Sequence, residues 1–195
     1  IDFRIVRDDI PVYSVDAAYM VTPDVGYIRV IRFAEETPKE VEKAISGLKK
    51  KGMENLILDL EDNGGGFLGA AYGLASQFLK PGQMVVYTQG DKMPPQYLRV
   101  QNRGLSGMLI GAPKAADIDR LVIMVNQYSA SASEIVSGAI QDNDRGLIVG
   151  RRTFGKGLVQ RPFPFPDGSM IRLTTSRYYT PAGRLIQKPY KRGES

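Results

Sequence analysis

The sequence predicts an α/β fold built around a largely parallel sheet. Short, continuously apolar runs at residues 55–60, 121–125 and 147–149 are typical of strands that are buried on both faces. Stretches with helical spacing of apolar residues lie between such runs, so that strands and helices alternate from residue 26 to residue 150. This alternation favours crossover connections and a parallel sheet, whereas the two ends of the chain are expected to be richer in strands.

The N-terminal part of the chain is expected to be mostly extended. Residues 1–24 are predicted to form an extended arm, and the alternation of apolar and basic residues at 26–33 indicates a half-buried strand. A helix should then begin at Thr37, because Thr37 and Glu40 have the spacing of a capping box with Pro at the first helical position. Gly52 is expected to end this helix.

The rest of the chain continues the pattern with three more strands and two more helices. These elements are expected at residues 67–79, 84–88, 131–142, 157–165 and 170–178. A Pro-Asp-Gly sequence at 166–168 predicts that the last two strands form a hairpin. Residues 90–118 are rich in Gly and Pro and have weak periodicity, so they are predicted to form a hairpin or a lid over a site.

The composition limits the kinds of site that the chain can hold. Its 195 residues, of which 43% are apolar and 24% charged, suffice for a single domain at 1–195 with a sizeable core. The chain has no Cys and no His, which excludes disulfides, thiolate nucleophiles and an imidazole base, and no metal or other cofactor is expected. The net charge of +5 comes without a stripe of Lys and Arg interleaved with aromatic residues, so no nucleic-acid partner is expected.

The N-terminus does not have the pattern of a leader peptide. Residues 1–4 are not a basic segment followed by an apolar one, and the chain has no initiator Met. We therefore expect it to be a domain of a longer protein. No apolar run approaches the ~18–20 residues that a membrane-spanning helix needs.

Ser131 is the first candidate for chemistry. It lies in the run SASASE at 129–134, between the apolar strand at 121–125 and a helix. Ser131 and Glu134 match a capping box, so Ser131 can be interpreted simply as a helix cap. The N–H groups of a helix N-terminus also stabilise an oxyanion, and a nucleophilic serine often lies between a strand and a helix. Both interpretations remain open, because a capping serine can also be a nucleophile.

Lys156 is the candidate base, since the chain offers no imidazole. A lone lysine is most often a solvated surface residue. Lys156, however, lies between Gly155 and Gly157, which allow the backbone to pack closely against neighbouring chain. In an extended segment Gln160 would lie on the same face as Lys156 and could orient its amine. The amine must be neutral to accept the proton of Ser131, and burial favours the neutral form.

The glycine turn at 62–66 (DNGGG) is the third candidate. It can be a tight connection from a strand to a helix, with glycines at positive φ. It can also be an oxyanion-hole loop, whose backbone N–H groups face a reacting carbonyl oxygen. The turn follows the carboxyl end of a strand, where α/β sheets place their sites. The Gly-Lys-Gly sequence at 155–157 does not have the spacing of a phosphate-binding loop, so nucleotide binding is not expected.

Together these motifs resemble the catalytic core of the C-terminal processing peptidases, also called tail-specific proteases. The resemblance covers most of the chain, through YSVDAAYMV (13–21), LILDLEDNGGG (56–66), residues 126–160 and residues 167–187. It implies the superhelical α/β fold that the Clp peptidase shares with crotonase. It also implies a serine endopeptidase that cleaves loosely folded proteins with apolar C-terminal tails. The protein or peptide substrate is expected to bind as an added strand along an exposed sheet edge.

The resemblance implies roles for individual residues. Ser131 aligns with the nucleophile, and Lys156 aligns with the general base. Gln160 aligns with a glutamine that supports the lysine in some members. Asp142 aligns with an acidic residue that is implicated in activity in some members, and it could also serve only to steady a helix end. Glu134 is expected to support the site.

The oxyanion hole would be formed by the N–H of Ala132 and that of Gly65 or Gly66. Many members of the family have Arg where this chain has Glu61, which changes the charge of the loop but no catalytic position. Members usually carry a PDZ domain before the core, and this domain binds the C-termini of substrates. The resemblance further implies an exported protein of the periplasm or cell envelope, and it leaves a homo-oligomer open.

Two other functions remain open for the sequence. A non-catalytic module that binds apolar ligands would share the fold, but it has no need of Ser131, Lys156 and Gln160 together. An acyl-CoA enzyme of the crotonase type would share the glycine-based oxyanion hole, but it usually places a carboxylate in the pocket. A CoA-binding assay would separate such an enzyme from a peptidase.

Overall fold

The computed structural model describes residues 12–101 and 116–189, which form a mixed α/β fold with two sheets. The elements in chain order are β1 (Val15–Met20), β2 (Val25–Val30), α1 (Thr37–Lys49), β3 (Asn55–Asp59), α2 (Leu68–Ser76), β4 (Met84–Gly90), β5 (Met93–Arg99), β6 (Leu121–Val125), α3 (Ala132–Asp142), β7 (Leu147–Gly150), β8 (Leu158–Pro164) and β9 (Met170–Tyr179). In the described part of the chain, no helix has the length and apolar character needed to cross a bilayer.

The first sheet contains the parallel strands that the sequence predicts. Its strand order is β1-β2-β3-β6-β7, in which β2, β3, β6 and β7 are parallel and β1 is antiparallel at one edge. The continuously apolar strands β3 and β6 lie in its centre, with one face buried and the other half-buried. The burial on both faces that the sequence predicts is therefore observed only in part, and for β7 it is wrong, because β7 is an edge strand and mostly exposed. Because these strands are parallel, the loops that follow β3, β6 and β7 leave the sheet at the same edge.

The second sheet is antiparallel and has the order β5-β4-β9-β8. Strand β4 belongs to it, although β4 lies within the stretch whose alternation predicts the parallel sheet. The physical reason is local, because β4 turns directly into β5 and forms a hairpin, and Gly90 allows close approach to the β9 backbone at Thr175. A hairpin is thus present at the start of the segment 90–118, whereas residues 102–115 lie outside the described residues.

Helix α3 is internal. Every residue from Ala132 to Ile140 is buried, because the helix packs against α2 on one side and against β4 and β7 on the others. The polar side chains on this helix therefore need partners, and Ser137 donates to the Ser133 carbonyl at 2.7 Å. A helix enclosed in this way fixes the position of its own N-terminus.

The capping box predicted at the start of α1 does not form. The N-cap is Glu36, and the Glu40 carboxylate instead accepts the N–H groups of Ser14 and Val15 at 2.8 and 3.0 Å. The Thr37 hydroxyl donates to the Ser14 hydroxyl at 2.6 Å. The two side chains expected to cap the helix therefore attach the start of β1 to it. The extended arm expected at 1–24 is, in its described part, mainly the edge strand β1.

Candidate active site

Three loops meet at the carboxyl edge of the parallel sheet. The glycine turn at 62–66 follows β3, the loop that carries Ser131 follows β6, and the loop that carries Lys156 follows β7. Since β3, β6 and β7 are neighbours in the sheet, the three candidate segments are adjacent in space. Sites of α/β proteins lie at this edge, and the sequence predicts the same location for the glycine turn.

Ser131 occupies a strained backbone position. It is the N-cap residue of α3, with φ 56° and ψ −110°, and its side chain is half-buried. Such a conformation costs a residue with a Cβ atom on the order of 1–3 kcal/mol and is concentrated at functional sites. The enclosed helix on one side and the hydrogen-bonded loops on the other hold Ser131 in this conformation. The serine is thereby held at the N-terminus of α3, where the helix dipole is positive.

The Glu134 carboxylate joins the serine loop to the lysine loop. Its side chain is on the first turn of α3 and the residue is only 5% exposed. One carboxylate oxygen accepts the backbone N–H of Ser131 at 2.8 Å and that of Lys156 at 2.9 Å. The other accepts the N–H of Gly155 at 2.6 Å. Charge-assisted hydrogen bonds of this kind are among the stronger ones, so the two loops are fixed to each other through one side chain.

The glycine turn is fixed by Asn63, which is fully buried. Its side-chain oxygen accepts the N–H of Gly65 at 2.9 Å, and its side-chain amide donates to the Val30 carbonyl at 2.6 Å. A second connection is made by Asp62 and Asn126, which exchange hydrogen bonds at 2.9 and 3.1 Å. The glycine turn and the serine loop are therefore directly bonded to each other.

The donors available to an oxyanion can be read from this arrangement. A Cβ atom at Gly65 would lie 2.8 Å from the Cβ of Ser131 and 2.9 Å from the nitrogen of Ala132, so the turn touches the serine. The Gly65 N–H is engaged by Asn63 and is not available to a ligand in this conformation. The N–H groups of Gly66 and Ala132 have no acceptor within residues 12–101 and 116–189.

Lys156 is exposed, which differs from the burial that the sequence-based hypothesis requires of a neutral base. Its backbone is well fixed, but its side chain extends into solvent. Among the described residues, its amine makes no hydrogen bond to Ser131 or to Gln160, which is also exposed. The physical reason is that the flanking glycines are packed by the chain around them while no segment of the described chain covers the lysine side chain. The structure therefore brings the serine and lysine loops together without joining their side chains.

The lysine loop is also held by the C-terminal segment. The Gln187 side chain accepts the N–H of Gly157 at 2.9 Å, and the Lys188 N–H donates to the Gly155 carbonyl at 2.9 Å. The Tyr178 N–H of β9 donates to the Gly157 carbonyl at 2.8 Å. Neither Asn63 nor Gln187 is among the site residues that the sequence predicts. An Asn two residues before a turn glycine is a signal for Asn63, whereas the partner of Gln187 depends on tertiary structure.

Asp142 lies at the C-terminal end of α3, about 16 Å along the helix axis from Ser131. Its carboxylate forms an ion pair with Arg184 and accepts the Ala182 N–H at 2.9 Å. Burial raises the pKa of this carboxyl, but hydrogen bonds from Thr180, Ala182 and Arg184 outweigh burial and bring the pKa below its ordinary value. The geometry therefore favours the alternative in which Asp142 steadies a helix end. It attaches the turn at 180–184 to α3.

The described part of the chain contains no group of three or more acidic side chains arranged to hold a metal ion. Asp59, at the end of β3, is buried and accepts the Tyr27 hydroxyl at 2.5 Å. Burial, followed by this hydrogen bond, raises the pKa of Tyr27. Glu61, the residue that departs from the family pattern, is half-buried, and its backbone N–H donates to Asp59 at 2.8 Å.

Comparisons with known proteins agree on one family. The model of peptidase family S41 matches residues 24–191. A carboxy-terminal-processing protease of Bartonella bacilliformis is 38% identical over 191 residues, which are 96% of this chain and 41% of that protein. A carboxyl-terminal-processing protease of Synechocystis sp. is 41% identical over 164 residues, which are 84% of this chain and 36% of that protein.

The solved structures include a similar fold. A photosystem II D1 C-terminal processing protease superposes with a TM-score of 0.75 at 32% identity, and the match covers 93% of this chain and 47% of that one. A protein titled as an S41 protease from Bacteroides fragilis superposes with a TM-score of 0.70 at 18% identity, which shows the fold alone. The chain spans less than half the length of each of these relatives.

Proposed function

Because the chain belongs to peptidase family S41, we propose that it is the catalytic part of a serine endopeptidase of the C-terminal processing type, with Ser131 as nucleophile and Lys156 as general base. The observation that carries the proposal is the Glu134 carboxylate, which accepts the backbone N–H groups of both residues. The buried carboxylate fixes the backbones of the two residues relative to each other, which supports a shared role for their side chains.

The reaction follows from these roles. Lys156, when neutral, takes the proton of the Ser131 hydroxyl as the serine oxygen attacks the carbonyl carbon of the scissile bond. The negative charge that develops on the carbonyl oxygen is stabilised by the N–H groups of Ala132 and Gly66. The C–N bond then breaks, and Lys156 returns the proton to the leaving amine. A water molecule hydrolyses the remaining ester by the same steps and regenerates Ser131.

The exposure of the Lys156 amine suggests that it acts as a base mainly when a substrate is bound. A substrate strand that lies over the lysine loop would exclude water from the amine, and exclusion of water disfavours the charged form. Gln160, which is also exposed, would then orient the amine by a hydrogen bond. In this proposal a bound substrate strand raises the reactivity of the site above a lower basal level in the free chain.

The proposal also includes the class of substrate, the fold, an upstream domain and the cellular location. Substrates are loosely folded proteins with apolar C-terminal tails, bound as an added strand. The chain adopts the superhelical fold of the Clp peptidase and crotonase, and an upstream PDZ domain recruits substrates in the longer protein. The protein acts in the periplasm or cell envelope. These elements rest on family resemblance and on relatives named for carboxy-terminal processing.

Cleavage of casein tests the proposal directly. The chain is compared with Ser131→Ala and Lys156→Arg, since arginine keeps the charge but does not give up its proton. Ser46→Ala and Lys92→Arg are matched controls, because both residues are exposed and lie outside the three loops. We expect cleavage by the chain and both controls, and none by the two site variants, with unchanged melting temperatures for Lys92→Arg and Lys156→Arg.

Other outcomes have distinct meanings. Cleavage by Ser131→Ala at the original rate would exclude Ser131 as the nucleophile, and cleavage by Lys156→Arg would exclude Lys156 as the base. If the chain itself is inactive, the longer protein and its Ser131→Ala variant are compared in the same assay. Inactivity of the longer protein as well would favour a binding module over a peptidase.

A further inference from the structure

We infer that Asn63 is a positioning residue of the oxyanion hole, which orients the glycine turn so that the Gly66 N–H faces Ser131. This inference rests on the proposed function and adds to it a residue that does not touch the substrate. Asn63 is fully buried in the glycine turn at 62–66, and all the hydrogen-bonding groups of its side chain and carbonyl are engaged. Its contacts divide into two sets, one on each side of the turn.

The first set attaches the turn to the segment that continues β2. The Asn63 side-chain amide donates to the Val30 carbonyl at 2.6 Å. Three residues further, the Phe33 N–H donates to the Gly65 carbonyl at 3.0 Å. A Cβ atom at Gly66 would lie 2.0 Å from the Phe33 carbonyl oxygen, so this side of the turn has no free space.

The second set attaches the turn to the serine loop. The Asn63 carbonyl accepts the Ala130 N–H at 3.0 Å and the Ser133 hydroxyl at 2.8 Å. Ala130 immediately precedes Ser131, and Ser133 lies in the first turn of α3. The turn is thus held between the Phe33 segment and the serine loop, with Asn63 bonded to both.

The direction of the Gly66 N–H follows from the planarity of the peptide group. In a trans peptide the carbonyl of one residue and the N–H of the next point in opposite directions. The Gly65 carbonyl points towards Phe33, so the Gly66 N–H points away from Phe33 and towards the side of the turn on which Ser131 lies. By accepting the Gly65 N–H, the Asn63 side chain prevents the turn from rotating out of this orientation.

Two variants of equal size isolate this effect. Asn63→Ser and Asn63→Ala leave the same space and both lose the bond to Val30. Only serine offers an oxygen that can accept the N–H two residues on, as the asparagine does. Val85→Ala serves as the stability control, because Val85 is a fully buried residue of β4, in the second sheet, and belongs to none of the three loops.

The readout is the second-order rate at which a fluorophosphonate labels Ser131, measured well below the lowest melting temperature. Attack on the phosphorus atom builds negative charge on its oxygen, so the rate reports the oxyanion donors, and it needs no peptide substrate. Loss of one such donor reduces rates by about 100–1,000-fold in other enzymes. We expect Asn63→Ala to lower the labelling rate by at least about tenfold, Asn63→Ser to lie between it and the original chain, and Val85→Ala to be less stable but to label normally.

The results separate this inference from the proposed function. Labelling of Asn63→Ala at the original rate, with Ser131→Ala unlabelled, would overturn the role of Asn63 and leave Ser131 as the nucleophile. Equal slowing of the alanine and serine variants would overturn the role of the Gly65 hydrogen bond. Equal labelling of Ser131→Ala and the original chain would overturn both proposals. If Asn63→Ala does not fold, Asn63→Leu, which fills the space and also lacks the acceptor, takes its place with the same expectation.

Discussion

At the level of single residues, Glu134 is the side chain that fixes the serine loop and the lysine loop to each other. It is buried at the start of α3, and its carboxylate accepts three backbone N–H groups from two loops. A carboxylate has acceptor sites on both oxygens, whereas a carboxamide has them on only one. The ionised carboxylate of Glu134 can therefore accept all three N–H groups through its two oxygens.

The variant Glu134→Gln tests this match. Glutamine keeps the size of the side chain, but its amide nitrogen cannot accept a hydrogen bond, so at least one buried N–H loses its partner. Such a loss costs about 1–3 kcal/mol, and we expect a lower melting temperature together with at least about a tenfold lower rate of labelling of Ser131 by the fluorophosphonate.

Glu40→Gln is the control for this variant, because Glu40 also accepts two backbone N–H groups, but from the start of the edge strand β1 and not from the serine or lysine loop. We expect Glu40→Gln to lower the melting temperature with little change in the labelling of Ser131. Equal loss of labelling in both variants would show that stability alone explains the effect of Glu134.

The capping-box pattern predicts the hydrogen bond of its glutamate correctly at α3 but not at α1. The spacing S/T-x-x-E occurs at Ser131 and Glu134 and again at Thr37 and Glu40. Glu134 does accept the N–H of its N-cap residue, but Glu40 is directed to β1. The difference arises because β1 offers unpaired N–H groups beside α1, and a local pattern contains no information about such a distant donor. Asn63 escapes prediction for the same reason, since its partners Val30, Ala130 and Ser133 lie in other segments.

At the level of elements, each end of α3 holds a segment that fixes the position of the lysine loop. Its N-terminal end holds the loop through Glu134. Its C-terminal end holds Ala182 and Arg184 through Asp142, just before the segment that carries Gln187. The position of Lys156 therefore depends on both ends of one helix.

The variant Asp142→Asn tests the C-terminal attachment through pH. The pKa of Asp142 is lower in the folded chain than its ordinary value of 3.8, so its contribution to stability is fully present above about pH 4 and is lost as the pH falls through the folded pKa. We expect the variant to be less stable at pH 7 by about 1–2 kcal/mol, since Arg184 is more than half exposed and weakens the ion pair.

The measurement is the melting temperature of both chains between pH 7 and pH 3, with Asp91→Asn as an exposed control. The gap between the chain and Asp142→Asn should be constant down to about pH 4 and then narrow. A gap that stays constant to pH 3, or that widens on acidification, would contradict the role assigned to Asp142.

At the level of the whole molecule, most of the fold follows from the sequence because its strands and helices have strong and distinct periodicities. The parallel strands β3, β6 and β7 are predicted at nearly their observed positions. The separate antiparallel sheet is less predictable, since β4 has the same apolar character as the parallel strands and its pairing is decided by the hairpin with β5. The exposure of Lys156 likewise cannot be derived from its flanking glycines.

The β8–β9 hairpin presents an apolar surface that the rest of the described chain does not cover. Strand β4 pairs with β9 only near the C-terminal end of β9, at Arg177–Tyr179, so the rest of the hairpin extends beyond the sheet. Its exposed apolar side chains are Phe163, Phe165, Met170, Ile171 and Leu173. Exposed patches of this kind promote association and bind hydrophobic dyes.

Replacing Ile171 and Leu173 with Thr should reduce dye binding and self-association, measured by dye fluorescence and sedimentation. The melting temperature should hardly change, because exposed substitutions alter stability by about 0.5 kcal/mol or less. Leu147→Thr, on the exposed edge strand β7, is the control and should have a smaller effect on the dye. Equal dye binding by all three chains would show that the hairpin is not the dye-binding surface.

The support of the lysine loop by Gln187 and Lys188 has a consequence for biosynthesis. During synthesis the glycine turn is made first, the serine loop much later, and these two residues later than both. Pairing of β3 with β6 must also await the long excursion between them. If the proposed function holds, a nascent chain is thus expected to be inactive until Gln187 and Lys188 have been synthesised, and a chain that terminates before them poses no proteolytic danger to the cell that makes it.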